Sequence, residues 1–300
     1  MGDYLAFLSG IVRATVTIHA RISEANPSVQ ILGKERMGTG AIVSSDGHIL
    51  TVNYIVIGAR ETLVTLYDGR QFAARVLYQD YEAGLAVLHI PCTKLPAVPL
   101  GDTDSLREGD KTLIVGSISK HERRASQGFI TALRPYDAYW EYMLDRAIIT
   151  TAVNPGLGGG PLLTNRGQVV GTVSLNLNTL REMTLAIPID LFQQTREEAL
   201  AGRPRSRPGR GWLGVYTEDI QNRPTVVQTV PNGPAHLSDL RPRDVIIGVN
   251  GREVRSRRDF YREIWKFNAG DELTITLLRG KNFATVRARS MDRAEFYGVV

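Results

Sequence analysis

Apolar and polar residues alternate along residues 11–20. Val12, Ala14, Val16 and Ile18 fall on one side and Arg13, Thr15, Thr17 and His19 on the other. A period of two is the signature of a half-buried strand. The stretch before it, Tyr4 to Leu8, has a helix-like pattern. Next, Met37 to Val43 and His48 to Thr51 are apolar runs on either side of Ser45-Asp46-Gly47. An Asp-Gly pair in that setting signals a hairpin. The arrangement recurs with Glu61 to Tyr67, Asp68-Gly69 and Gln71 to Tyr78. Short strands are then expected at Leu85 to Ile90, Lys111 to Ser117, Gly128 to Leu133, Arg146 to Val153, Gln168 to Leu175 and Glu182 to Ile187. Many short strands between turn residues predict an all-β barrel or sandwich, and their number suits a pair of roughly six-stranded barrels.

After Ile187 the pattern changes. Ile189 to Leu200 predicts a helix opening on an Asp190 cap. Gly202 to Gly211 is rich in Arg, Pro and Gly, as a linker is. Beyond it, strands are expected at Thr225 to Val230, Val245 to Val249, Glu272 to Leu278 and Ala284 to Ala288. Helical patterns lie at Pro234 to Leu240 and at Ser256 to Phe267, the latter with Phe260, Ile264 and Trp265 on an apolar side. The expected layout is a β domain over 1–190, a helix and basic linker over 191–211, and a compact α+β module over 212–300.

Composition narrows the chemistry. At 300 residues, with 43% hydrophobic and 22% charged positions, the chain is ordinary globular protein with enough apolar residues for a sizeable core. No run of about 18 apolar residues predicts a transmembrane segment. The opening residues lack the basic start of a signal peptide, so the chain as written reads as cytoplasmic; a removed leader or anchor would make it periplasmic or membrane-associated. Cys92 is the only cysteine, which excludes an intrachain disulfide and a Cys-based zinc site. His19, His48, His89, His121 and His236 show no metal spacing, so neither metal nor cofactor is expected. The net charge of +5 is concentrated at Arg203, Arg205, Arg207 and Arg210 and at Arg252, Arg255, Arg257 and Arg258. Without interleaved aromatics or a nucleic-acid motif, these read as a solvated linker and helix face rather than a nucleic-acid site.

The densest cluster of special residues is Asn154-Pro155-Gly156-Leu157-Gly158-Gly159-Gly160-Pro161-Leu162, between two strands. Glycines serve where φ is positive or where backbone must be approached closely. Crowded N–H groups in such a turn can cradle a negative charge. The loop resembles the nucleophile loop of HtrA/Deg-type trypsin-like serine proteases, which reads NPGNSGGPL. Upstream, GTGAIV, DGHILTVNYIV, VTLYDGRQFAARVL and LAVLHI follow the same pattern at fitting spacing. Downstream, WLGV, NGPAHLSDLRPRDVIIGVNG and DELTITLLRG resemble a PDZ domain, with Asp239 and Arg243 where such domains commonly carry glycines. The resemblance implies an all-β trypsin-like double β-barrel followed by a small α+β PDZ domain.

It also implies where a catalytic triad would stand. The histidine of the family's TNNHVV-like string corresponds to Tyr54, the aspartate before LAVL to Gly84, and the serine to Gly158. A serine hydroxyl needs an imidazole to take its proton and a carboxylate to orient that imidazole. A phenol with a reference pKa near 10 cannot serve as base at neutral pH. The expectation is a catalytically inactive homologue, with an active serine endopeptidase of unconventional residues as the alternative. Ser44, Ser45, Ser117 and Ser174 are candidate replacement nucleophiles, with His48 and His89 nearby in sequence; His89 is expected on the face away from its inward neighbours.

Two readings of the glycine loop stand open: a structural turn, or a nest at Gly156, Leu157 and Gly158 that holds an anion or a peptide carbonyl. A third, weaker option puts a metal or small anion in the vacated cleft. In the second domain, Trp212-Leu213-Gly214-Val215 takes the place of a carboxylate-binding loop for peptide or protein C-termini, with Ser256 to Phe267 as groove helix. The alternative is that Trp212 and Leu213 merely fill the core. The resemblance further implies a homo-trimer through the N-terminal segment, with Tyr4 and Phe7 as candidate contacts. An aromatic pair there could equally dock on its own subunit.

Overall fold

A computed structural model describes residues 2–177, 182–204 and 209–298; the side chains of residues 2–6 lie outside the description. The described residues divide into two compact units. One comprises residues within 1–134 and 145–205, the other residues within 135–144 and 206–298.

The first unit opens with helix α1 (Gly2–Arg13). It continues through β1 (Thr15–Ile22), the short α2 (Val29–Leu32), β2 (Glu35–Ile42), β3 (His48–Val52), β4 (Ala59–Thr65), β5 (Gln71–Ala73), β6 (Arg75–Asp80) and β7 (Leu85–His89). These strands form one sheet in the order β5-β4-β1-β2-β3-β7-β6. Its two edge strands are consecutive in the chain, separated only by Ala74. The strand expected over residues 11–20 begins only at Thr15, because helix α1 runs on through Arg13 and takes in Val12; within the strand, Val16 and Ile18 are completely buried. Yet Thr15 and Thr17 are buried as well, because β1 lies between β2 and β4.

The remaining strands of this unit are β8 (Lys111–Ser117), β9 (Arg123–Ala138), β10 (Tyr142–Thr150), β11 (Pro161–Thr164), β12 (Val169–Leu177) and β13 (Met183–Pro188). They close a barrel in the order β10-β13-β12-β11-β8-β9. Its core includes Ile114, Ile130, Ile148, Leu162 and Val173. Strand β9 runs well beyond the expected 128–133 at both ends, and β10 starts before the expected 146 and ends at Thr150. Their extended tip, residues 135–144, belongs to the second unit. The expected helix over 189–200 is two short ones, α3 (Ile189–Gln193) and α4 (Arg196–Ala201). Asp190 is not its cap. Pro188 holds the cap position, and the Asp190 carboxylate accepts from the Thr103 hydroxyl and backbone amide instead.

The second unit contains β14 (Val215–Ile220), β15 (Arg223–Thr229), α5 (Pro234–Leu237), β16 (Val245–Val249), β17 (Arg252–Glu253), α6 (Arg257–Ile264), β18 (Glu272–Arg279), β19 (Asn282–Arg289) and α7 (Arg293–Tyr297). Helix α6 starts on Ser256, whose hydroxyl accepts from the Asp259 amide, a favourable N-cap. Its Phe260, Tyr261 and Ile264 are fully buried with Leu213, Val249 and Leu273. Trp265, expected on the same apolar side, packs partly buried against that core. Asp239 and Arg243 have φ of 62° and 76°, the left-handed region that glycine tolerates best. Arg279 ties this corner by donating to the Asp239 carbonyl and the Asp244 carboxylate.

Candidate functional site

The three positions that the resemblance aligns with a triad converge in the first unit. Tyr54 sits on a single 3-10 turn, Asn53–Ile55, directly after β3. The Asn53 amide donates to the Gly84 carbonyl at 2.9 Å, which joins this turn to the loop before β7. Gly84 has a φ of +78°. Tyr54 reaches across to the glycine loop, where its hydroxyl donates to the Ser174 carbonyl at 2.9 Å. A Cβ built on Gly158 would overlap that hydroxyl. The ring thus fills the space a residue-158 side chain would need. Burial pushes the Tyr54 phenol up to about 12, so it stays protonated and donating at neutral pH.

Sequence reasoning missed the group that holds this turn. Arg36, only 6% exposed, donates to the carbonyls of Gly33, Tyr54 and Ile57 and to the Ser28 hydroxyl. Burial lowers its guanidinium to about 10, still cationic at neutral pH. The available signal was a charged residue inside an otherwise buried alternating strand.

In the glycine loop, most amides are committed within the protein. The Leu157 amide donates to the Ser117 carbonyl at 2.9 Å, the Gly156 amide to Asn154 Oδ1 at 3.3 Å, and the Gly159 amide to the Val173 carbonyl at 2.7 Å. The Gly158 carbonyl accepts from the Thr39 amide at 2.7 Å. Gly159 needs its φ of +96°, and a Cβ there would meet the Thr39 carbonyl. Gly156 and Leu157 therefore do not present a free pair of donors.

One Ser, His and Asp do meet elsewhere in this unit. The Ser44 hydroxyl bonds Asp46, and His48 Nδ1 lies 2.9 Å from Asp46 Oδ1. The order is wrong for nucleophilic catalysis, because the carboxylate stands between serine and imidazole. His48 Nε2 is taken by the Leu200 carbonyl at 3.0 Å, so the ring faces a main-chain acceptor rather than a hydroxyl. His89 is half-buried between the fully buried Leu88 and Ile90, and it pairs directly opposite His48 across β3 and β7 with ring centroids 4.9 Å apart. Ser117 bonds Thr17 and the Ser119 carbonyl, with no histidine in reach of those bonds.

In the second unit, Trp212, Leu213, Gly214 and Val215 precede and begin β14. Side chains and backbone of this stretch face different partners. The Trp212 ring packs on Phe296 and Tyr297 at 4.8 and 5.4 Å, and Leu213 is fully buried. The backbone amides point to a carboxylate instead. Leu213 N–H donates to Glu141 Oε2 at 3.1 Å and Val215 N–H to Glu141 Oε1 at 2.7 Å. Gly214, with φ of +74°, makes the turn between them. Glu141 was missed from sequence; the aromatic and acidic run Tyr136-Asp137-Ala138-Tyr139-Trp140-Glu141 inside a hairpin was the signal available.

Of the proposed N-terminal contacts, the Tyr4 side chain lies outside the described residues. The Phe7 ring lies against Gly167 of the same chain, close enough that a Cβ on Gly167 would overlap it. Among the described residues, no group of three or more His, Cys, Asp or Glu could hold a metal ion, and no helix is long and apolar enough to cross a membrane.

Comparison with known proteins agrees with this layout. Residues 38–171 match the trypsin-like peptidase domain family and residues 211–289 the PDZ domain family. The chain is 30% identical over 273 residues to a probable periplasmic serine endoprotease DegP-like of Halomonas elongata, covering 84% of this chain and 56% of that protein. It is 29% identical over 263 residues to the protein of the same description in Pseudomonas putida, covering 82% and 54%. The chain thus spans about half the length of these relatives. Among solved structures, it resembles the serine endoprotease from Yersinia pestis at a TM-score of 0.59 and 25% identity, over 96% of this chain and 97% of that one. The HtrA-type protease AlgW with a tripeptide gives a TM-score of 0.60 at 25% identity, over 96% of both chains. A trypsin-like β domain followed by a PDZ domain, in the arrangement of HtrA-type proteases, is the architecture of this chain.

Proposed function

We propose that this HtrA-type chain is a catalytically inactive protease homologue that binds peptides or protein C-termini through its PDZ domain. The observation that carries the first half is the Tyr54 hydroxyl beside Gly158, bonded to the Ser174 carbonyl. Where a serine, an imidazole and a carboxylate would act together, this chain has a phenol and two glycines. A phenol held near pKa 12 does not take a proton at neutral pH. Loss of a triad costs on the order of a million-fold in rate, on the scale set by subtilisin. Fold alone does not confer activity.

The second half rests on the amides of Leu213 and Val215, which converge on one carboxylate. Capture of a carboxylate by backbone N–H groups, with an added strand alongside, is how PDZ domains hold peptides. A periplasmic setting, which the relatives' names carry, and self-association through α1 with Tyr4 and Phe7 complete this reading.

The competing reading, a serine endopeptidase, is favoured by the names of the relatives. A fluorophosphonate probe with a casein assay separates the two. The purified chain is expected to show no labelled hydroxyl and no casein turnover above buffer. Stoichiometric labelling of one hydroxyl with matching turnover would establish the endopeptidase instead.

A further inference from the structure

The carboxylate on the peptide-binding loop belongs to the chain itself. Residues 135–144 form the tip of the β9–β10 hairpin and cluster with the second unit. On one side the tip meets β14: besides the two amides held by Glu141, the Thr217 N–H donates to the Tyr139 carbonyl at 2.8 Å. Val215 and Thr217 are two apart, so their amides leave the same edge of the strand, as when a strand is added. On the other side the tip meets α6. The Tyr261 hydroxyl donates to the Ala138 carbonyl at 3.0 Å and accepts from the Glu141 amide at 2.9 Å. Asp137 pairs with Arg257 at 2.8 Å and Arg258 at 2.5 Å.

Resting on the reading of Leu213 to Val215 as a peptide-binding loop, we propose that this tip is a built-in ligand. The Glu141 side-chain carboxylate holds the place of a peptide's terminal carboxylate, and free C-terminal peptides bind only by displacing it. No chain end is needed, because the backbone continues into β10 at Tyr142. Glu141 manages this at a φ of 43°, a left-handed conformation uncommon for residues with a side chain. Such conformations persist where surrounding contacts over-determine them, and they cluster at ligand clamps and switches. Glu141 is 3% exposed, with both oxygens bonded and its backbone amide bonded as well. A hairpin that only needed to turn would have no use for a buried acid whose partners are the amides of another element.

The chemistry of the partner follows from the contacts. It is a peptide with a free carboxylate at its end, a backbone carbonyl to meet Thr217, and an acidic residue upstream to meet Arg257 and Arg258. The test uses the whole chain, wild type against Glu141→Ala and Glu141→Gln. Glutamine keeps one acceptor oxygen but turns an NH2 toward the second amide, so its effect should be the smaller. Exchange of the Leu213 and Val215 amides is expected to rise about tenfold or more in Glu141→Ala, the scale of losing bonds to a charged acceptor. The same proteins are then screened with a library of random decapeptides bearing free C-termini. Enrichment at least tenfold stronger on Glu141→Ala than on wild type supports the proposal. Unchanged exchange, or equal enrichment on both proteins, overturns it. Faster exchange with no enrichment on either protein keeps the tip as the groove's occupant and removes the peptide-binding reading. Should Glu141→Ala fail to fold by circular dichroism, Asp137→Asn, which loosens the tip from α6, carries the same two measurements.

Discussion

Beside the glycine loop of the first unit a phenol ring takes up room; on the amides of the second unit a carboxylate does. Tyr54 comes from the turn that ends β3, inside the sheet's own framework, and is anchored from beneath by Arg36. Glu141 comes from the end of a long hairpin and is held by two backbone amides, while Asp137 ties the same tip to Arg257 and Arg258. The Tyr54 ring is aimed by a turn whose backbone a buried guanidinium and the Gly84 carbonyl both define. Removing Glu141 means breaking contacts that water and another carboxylate can replace. The first occupant is part of the fold, and the second is exchangeable.

The sharpest way to break that comparison is to force a side chain into the first site. Gly158→Ser should destabilise the chain by about 2–4 kcal/mol, from overpacking against Tyr54 and loss of its bond to Ser174. Tyr54→His in the same chain should recover most of it, so a double-mutant cycle by urea unfolding should show strong coupling. Additive effects would mean that ring and glycine are independent. Even the pair should not give a protease, since Gly84 leaves no carboxylate to orient the imidazole.

The second site should respond to pH. Burial raises the Glu141 carboxyl to about 7, and this outweighs the Leu213 and Val215 amides and the Arg293 charge, which pull the other way. Tyr261 on α6 and Tyr216 on β14 also face it, and burial raises both phenols, so neither ionises near neutral pH. A folded pKa above the free value near 4.5 means that docking is favoured by protonation. Its stabilisation is complete below about pH 4.5 and fades as pH rises through 7, by about 1–3 kcal/mol in all. Amide exchange at Leu213 and Val215, corrected for intrinsic rates, should therefore show less protection at pH 8 than at pH 5. Unchanged or rising protection would contradict the burial argument. The smallest effect belongs to Tyr54→Phe, which removes one hydrogen bond and should cost about 1 kcal/mol by thermal melting.

Much of this architecture was legible in the chain. The strand within residues 11–20 from Thr15 on, the Asp-Gly turns and the glycine loop all correspond to observed strands and connections, while residues 11–13 went to the preceding helix. Asp239 and Arg243 were legible too: where glycine is expected, the backbone is left-handed whatever residue sits there. The two occupants were not equally readable. Tyr54 could be aligned by motif, but nothing in a string of letters says that its hydroxyl reaches residue 158 across the fold. Glu141 was invisible because its partners, Leu213 and Val215, are 72 and 74 residues away and act through backbone amides, which every residue has. Asp190 was misread for a similar reason: local spacing suggested a cap, while a distant threonine supplied the partner.

The long hairpin has a consequence for anyone who divides the chain at its linker. A fragment beginning at Trp212 would leave residues 135–144 behind, and with them every contact that now covers the Leu213, Val215 and Thr217 amides. Such an orphaned module would be greedy for carboxylates in a way the intact polypeptide is not, and its ligand preferences would describe a molecule from which the resident competitor had been cut away.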